Sequence, residues 1–193
     1  MKDKLTAIAA AAASVAQASA LKETAQTEGR YKIQCFEFEG GPLLWEEDFD
    51  NVVCTAGKNL ALDTILAGSA YTVVGPYMGL ISSISFTAAA AADTMLSHAG
   101  WTEAGSTNAP TFAARVAPSW SAASAGSKAT SAAVSFTMTG AGTLSGAFLV
   151  FGTGAVTTLM STAGTLLSAG AFSGGNQVVS SGNVVTVTYS LGL

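Results

Sequence analysis

The sequence predicts a mainly β protein: a β-sandwich or jelly-roll-like domain over residues 30–193 with one short helix, preceded by an alanine-rich helical arm over residues 1–29. Three observations predict it. At least seven short segments carry the alternating or doubly apolar patterns of strands. Gly-rich turns separate those segments. No strand–helix alternation of the kind that builds Rossmann or barrel folds is present. A chain of 193 residues is also long enough to bury a substantial core.

The first residues support two readings. Met1, Lys2, Asp3 and Lys4 lead into an alanine-rich run that ends Ala18-Ser19-Ala20. A positive start, a short apolar middle and an Ala-x-Ala end outline a signal peptide. Against that outline, Asp3 interrupts the basic start, alanine stands where leucine is usual, and Gln17 intrudes near the end. The other reading is a helix over residues 5–26, because alanine is the strongest helix former and Gly29 can stop it. Leu5, Ile8, Val15 and Leu21 are its larger apolar residues. So thin a helix buries little on its own domain, but its small side chains permit close approach to a partner. Those four residues are therefore candidates for partner binding.

Further along, Tyr31, Ile33 and Cys35 alternate on one face while Phe36 and Phe38 lie on the other. The change of parity between Cys35 and Phe36 predicts a bulge or a strand changing sheets. Gly40-Gly41-Pro42 makes a hairpin turn, and residues 43–49 return. Thr55 is placed to cap a short helix running to Ala67, with Leu60, Leu62, Ile65 and Leu66 apolar and Gly68 as the stop. A buried strand over 73–82 follows, then a loop or helical turn at 88–93, then an irregular stretch around Trp101, Pro110, Pro118 and Trp120. Val134, Phe136 and Met138 alternate with Ser135, Thr137 and Thr139 as a half-buried strand. Residues 144–151 are apolar on both faces, as a central strand requires. Residues 166–172 and 178–191 supply the last strands, with Val185, Val187, Tyr189 and Leu191 facing one way.

Charge is scarce. Charged residues make up 10% of the chain and hydrophobic ones 49%, against about 25% charged in an average soluble domain. After Asp63 the charged side chains are Asp93, Glu103, Arg115 and Lys128 alone. Interface cores are depleted in charge, so this composition fits a protein whose neighbours cover it. A secreted bacterial surface or carbohydrate-binding β protein, rich in Ser, Thr, Gly and Ala, is the other class with such a composition. The net charge of −4 and the lack of a basic run give no electrostatic footprint for nucleic acid. No segment reaches the roughly 20 strongly apolar residues of a membrane span.

Chemistry finds little to work with. Cys35 and Cys54 match neither a disulfide framework nor a metal-binding spacing and read as buried free thiols. His98 is the single histidine, and no Gly-x-Ser-x-Gly elbow accompanies it. A Cys54–His98 pair has no supporting local motif. Glu46, Glu47, Asp48 and Asp50 suggest paired carboxylates or a calcium site, yet on a strand Glu46 and Asp48 point away from Glu47. A solvated strand end or intersubunit salt bridges suits them better. Gly140-Ala141-Gly142 and Gly152-Thr153-Gly154 lack the lysine of a phosphate loop and read as turns. Trp45, Trp101 and Trp120 are candidates for a sugar platform, a core or a partner-binding surface. No catalytic residue, metal ligand or cofactor is expected, and the chain reads as non-enzymatic.

Lys32-Ile33-Gln34-Cys35-Phe36-Glu37-Phe38, Trp45-Glu46-Glu47-Asp48-Phe49-Asp50-Asn51-Val52-Val53 and Thr55-Ala56-Gly57 through Leu62-Asp63 carry a resemblance. It continues through Gly68-Ser69, Tyr77-Met78-Gly79-Leu80-Ile81 and Asp93-Thr94-Met95 to His98-Ala99-Gly100-Trp101-Thr102-Glu103. It returns weakly at Gly146-Ala147-Phe148-Leu149 and over residues 167–173. These segments resemble a family of small virion structural proteins of tailed bacteriophages, similar to capsid decoration, or cement, proteins in size and β content. The resemblance spans most of residues 30–191 and leaves out the alanine-rich arm. It implies a place in the virion, on the capsid surface or in the tail, neck or head fibre, and it transfers no catalytic residue. On the decoration reading the partners are the major capsid protein and further copies of this chain, as a dimer or trimer, assembled in the bacterial host cytoplasm.

Overall fold

In the computed structural model, residues 27–66 and 74–192 are described. The arm expected over 1–29, with Leu5, Ile8, Val15 and Leu21, lies outside the described residues up to position 26, as does the helix stop expected at Gly68.

The described residues form ten strands and one helix. They are β1 (Glu28–Phe36), β2 (Leu43–Val53), α1 (Thr55–Ile65), β3 (Tyr77–Ser82), β4 (Thr102–Glu103) and β5 (Ser127–Ala129), then β6 (Val134–Thr137), β7 (Gly142–Phe151), β8 (Thr165–Ala171), β9 (Gln177–Val179) and β10 (Val184–Gly192). All ten strands join one antiparallel sheet in the order β4-β3-β7-β8-β2-β1-β10-β5, with β6 also on β10 and β9 also on β7. The protein is therefore mainly β, as the patterning predicts.

The long strand β2 holds the sheet together. Its residues from Leu43 to Asn51 pair with β1, while Val52 and Val53 pair with Ala169 and Ser168 of β8. The register shifts between Cys35 and Phe36 in β1, where the apolar parity changes. One core cluster draws Tyr31, Ile33, Val185 and Val187 from β1 and β10 together with Met78, Leu80, Ala147 and Leu149 from β3 and β7. A second cluster, with Ile81, Trp101, Phe148, Val150 and Leu166, occupies the other face of β3, β7 and β8. Strand β7 is consequently buried from Leu144 through Val150, which is why its sequence is apolar on both faces.

The helix departs from expectation in two respects. Cys54, not Thr55, occupies the N-cap and makes no side-chain cap bond. Its N–H is held by the Leu167 carbonyl at 2.8 Å, so Cys54 is the last residue tied to β8 and the helix starts one residue earlier than expected, at Thr55. The apolar positions also fail to pack inward: Leu62, Ile65 and Leu66 are 55%, 68% and 76% exposed. Contact with the sheet is made instead at Gly57, where a Cβ would stand 2.8 Å from Leu167 Cα.

Strands β7 and β8 approach closely at Gly146, where a Cβ would collide with the Gly170 carbonyl oxygen, a backbone atom that cannot rotate away. Gly146→Ala is expected to destabilise the fold by about 1–3 kcal/mol through overpacking. Chemical denaturation measures this, and a change within the scatter of the parent protein contradicts the close approach.

Candidate functional site

The distribution of ionic groups gives the surface its character. On the outer face of the β1–β2 hairpin, antiparallel register sets Arg30 opposite Asp50 and Lys32 opposite Asp48. Arg30 reaches Asp48 at 2.6 Å and Asp50 at 3.0 Å, and Lys32 reaches Glu46 at 3.0 Å. Hydrogen bonds from Lys32 and then Gln34 hold the Glu46 carboxyl below its ordinary range. These pairs are solvated and within one chain, so they add little stability. The alternation read from sequence holds here, with Glu46 and Asp48 outward and Glu47 inward. Glu47 is a buried latch: it accepts hydrogen bonds from the Gly174 N–H at 3.1 Å and from Gln177 Nε2 at 2.7 Å.

Past Asp63 the pattern reverses. Asp93, Glu103 and Arg115 are only 9%, 3% and 2% exposed. Lys128 is exposed, and it is the single ionic side chain that the described surface of residues 74–192 offers to solvent. Arg115 and Glu103 form a two-pronged pair, Nε to Oε1 and Nη2 to Oε2, each 2.8 Å. Arg115 also donates to the Ser161 carbonyl at 2.8 Å and lies over the Phe148 ring at 5.4 Å, while Glu103 accepts from the Met160 N–H at 2.6 Å. Asp93 Oδ2 accepts from Trp101 Nε1 and from the Ala90 N–H, both at 2.9 Å. These carboxylates and the guanidinium are fully engaged in holding loops to the sheet.

The three tryptophans do not converge. Trp101 is buried in the second core, tilted against Phe148 at 5.1 Å and stacked with His98 at 3.9 Å. That corrects the expectation of Trp101 as a partner-binding residue, since its ring is enclosed by its own chain. Trp45 packs on Phe172 and donates to the Val178 carbonyl at 3.0 Å. Trp120 meets the edge of Tyr189 at 6.3 Å. Both are half-buried and keep part of each ring at the surface.

Of the reactive groups, the two thiols are enclosed and His98 is half-buried. His98 Nδ1 lies 2.9 Å from the Trp101 carbonyl. Cys35 and Cys54 are both free and buried. Burial pushes the Cys35 thiol up to about 11, and burial followed by the Asp93 charge pushes Cys54 up to about 11. Burial likewise raises the hydroxyls of Tyr31 and Tyr189. Among the described residues, no group of three or more His, Cys, Asp or Glu could hold a metal ion. No helix among them is long and apolar enough to cross a membrane.

Apolar side chains are exposed at both ends of the β1–β2 hairpin. Phe38, Leu43 and Leu44 stand at its tip. At its base, Thr27, Val53, Leu62, Ile65, Leu167 and Leu191 line a groove of about 240 Å³. Sequence patterning missed both, along with the burial of Glu47, Asp93, Glu103 and Arg115. A usable signal existed for Arg115, a lone cation within Ala113-Ala114-Arg115-Val116-Ala117. Against known family models, curated proteins and solved structures, the chain has no match.

Two outcomes follow from this geometry. Arg115→Met leaves Glu103 buried without its counter-ion and is expected to cost about 3–5 kcal/mol. Adding Glu103→Leu should restore part of the loss, and a double-mutant cycle by denaturation that gives no coupling contradicts the pairing. The second outcome concerns pH. Folding raises both thiols from an ordinary 9.0 to about 11, so the folded state holds its thiol protons more tightly. Their stabilisation is complete below pH 9 and is lost as pH rises through 11. Melting temperature should fall over that window, and the fall should be shallower in Cys35→Ala/Cys54→Ala. Identical slopes for the two proteins contradict the assignment.

Proposed function

We propose that this chain is a non-enzymatic structural protein of a tailed-phage virion, a decoration protein that binds the outside of the capsid and stabilises the contacts between capsomers. The observation that carries the reading is the single exposed ionic side chain, Lys128, over residues 74–192. A free monomer normally keeps mixed charge on its surface for solubility. A surface of Ser, Thr, Ala and Gly is instead inexpensive to desolvate when neighbours cover it, because no ion has to be stripped of water.

The fold suits the role as a β-sandwich. The shared core of β1, β6 and β10 with β3, β7 and β9 supports two sheet halves facing each other across one interior, linked by β2. The charged outer face of β1–β2 is the side that remains in water. The uncharged loops of residues 74–192 over β3, β7 and β8 meet the major capsid protein and neighbouring copies, with the alanine-rich arm as an added attachment. Half-buried Trp45 and Trp120, with exposed Phe38, are among the aromatic contacts available to a partner. Repetition over many symmetry-related sites lets modest contacts hold through multivalency. Neither nucleic acid nor membrane enters this reading, and no cofactor is needed.

Sedimentation of the purified protein should give a dimer or trimer, and purified particles should contain hundreds of copies rather than a tail-like dozen. Leu96 and Ser97 are exposed in the loop that covers the second core, on the far side of β3, β7 and β8. Leu96→Glu/Ser97→Glu should weaken self-association or particle binding by about tenfold or more, since each buried unpaired charge costs well over the 1.4 kcal/mol of a tenfold change, while leaving the melting temperature unchanged. A monodisperse monomer that binds no particle overturns the proposal.

A further inference from the structure

We propose that the groove at the base of the hairpin is the seat of this chain's own N-terminal segment, residues 16–26, with Leu21 set against Leu62 and Ile65. The inference is independent of the virion reading. Exposed apolar residues scattered singly are ordinary. Here Leu62 and Ile65 lie one helical turn apart on α1 and share a groove with Val53, Leu167 and Leu191, which is a concerted surface and not scatter.

Three observations select the occupant. Thr27, the first described residue, itself lines the groove, so residue 26 is bonded to a wall of the groove. Length fits as well. The 11 residues of α1 extend about 16 Å, which an equal number of preceding residues covers if helical. The first 15 residues, with Leu5, Ile8 and Val15, then stay available to a partner. Charge is complementary too: α1 carries Lys58, which lines the groove, and Asp63, and the segment brings Glu23 and Lys22. Ala16, Ala18, Ala20 and Ala25 are small enough to let a backbone lie close to the leucine walls.

Limited trypsin digestion of the full chain reads the seat directly, because Lys22 lies within the segment and Lys4 lies beyond it. Cleavage after Lys22 should be at least about tenfold slower than after Lys4, and Leu62→Asp/Ile65→Asp should bring the two rates together without altering the circular dichroism spectrum. Equal rates in the parent protein overturn the proposal. So does a protected Lys22 that the double variant leaves protected, since another surface then covers it. A second variant tests which chain supplies the segment. Cys35 and Cys54 are buried, so oxidation of Leu21→Cys/Ile65→Cys should give an intramolecular disulfide that migrates as a single chain. A disulfide-linked dimer assigns the groove to a neighbour's segment and overturns the proposal, as does the absence of any crosslink.

Discussion

An ion taken out of water must meet an opposite charge and enough hydrogen bonds to replace its hydration, or the fold loses several kcal/mol. In this protein the constraint falls on Glu103 and Arg115, and the irregular third of the chain is arranged to satisfy it. Both prongs of the pair measure 2.8 Å. The remaining capacity is taken up by backbone groups of Met160 and Ser161, and the guanidinium rests over Phe148 of β7. The short strand β4, the segment around Arg115 and the loop between β7 and β8 thereby converge on one point. None of them has enough ladder hydrogen bonds to hold its own position. The ion pair fixes them against the sheet, and the second core closes beside it.

The same economy of charge recurs elsewhere. Asp93 fixes the loop that carries Trp101 over β7, and Glu47 fixes the turn between β8 and β9. Asn183 acts in the same way without a charge, donating to the Glu37 carbonyl at 3.0 Å and accepting from the Ser180 N–H at 2.7 Å. In each case a side chain substitutes for the backbone ladder that an irregular segment lacks. Ionic groups that serve inside are no longer available to solvate the exterior. The neutral surface of residues 74–192 is thus partly a product of how the loops are anchored, and composition alone understates how neutral it is.

Strands were legible because their information is local. The alternation in β6 and β10, the doubly apolar run of β7 and the parity change at Cys35 and Phe36 each lie within a few residues of one another, and period two survives in any tertiary setting. What the sequence concealed depends on distant partners. Glu47 is buried because Gly174 and Gln177 arrive from more than 120 residues away. Arg115 draws on Ser161 across 46 positions. Nothing in the neighbourhood of Glu47, set among Glu46, Asp48 and Asp50, distinguishes it from a solvated carboxylate. The helix misled for a related reason. Its leucines carry the spacing of a buried face, but Gly57 makes the contact with β8, and Leu62 and Ile65 line the groove at the base of the hairpin instead.

Charge segregation and the two apolar ends of the hairpin together constrain how the molecule can meet a partner. The paired ions of Arg30, Lys32, Glu46, Asp48 and Asp50 occupy one face, and covering them would remove solvated charges from water for weak Coulombic return. The opposite, neutral surface carries no such penalty. A body built this way has a preferred orientation in any proposed assembly before a specific contact forms, with the outer face of β1–β2 and β10 in solvent and the loops over β3, β7 and β8 inward. Specific contacts must then come from shape and from hydrogen bonds of Ser and Thr, which discriminate between partners less sharply than ion pairs do.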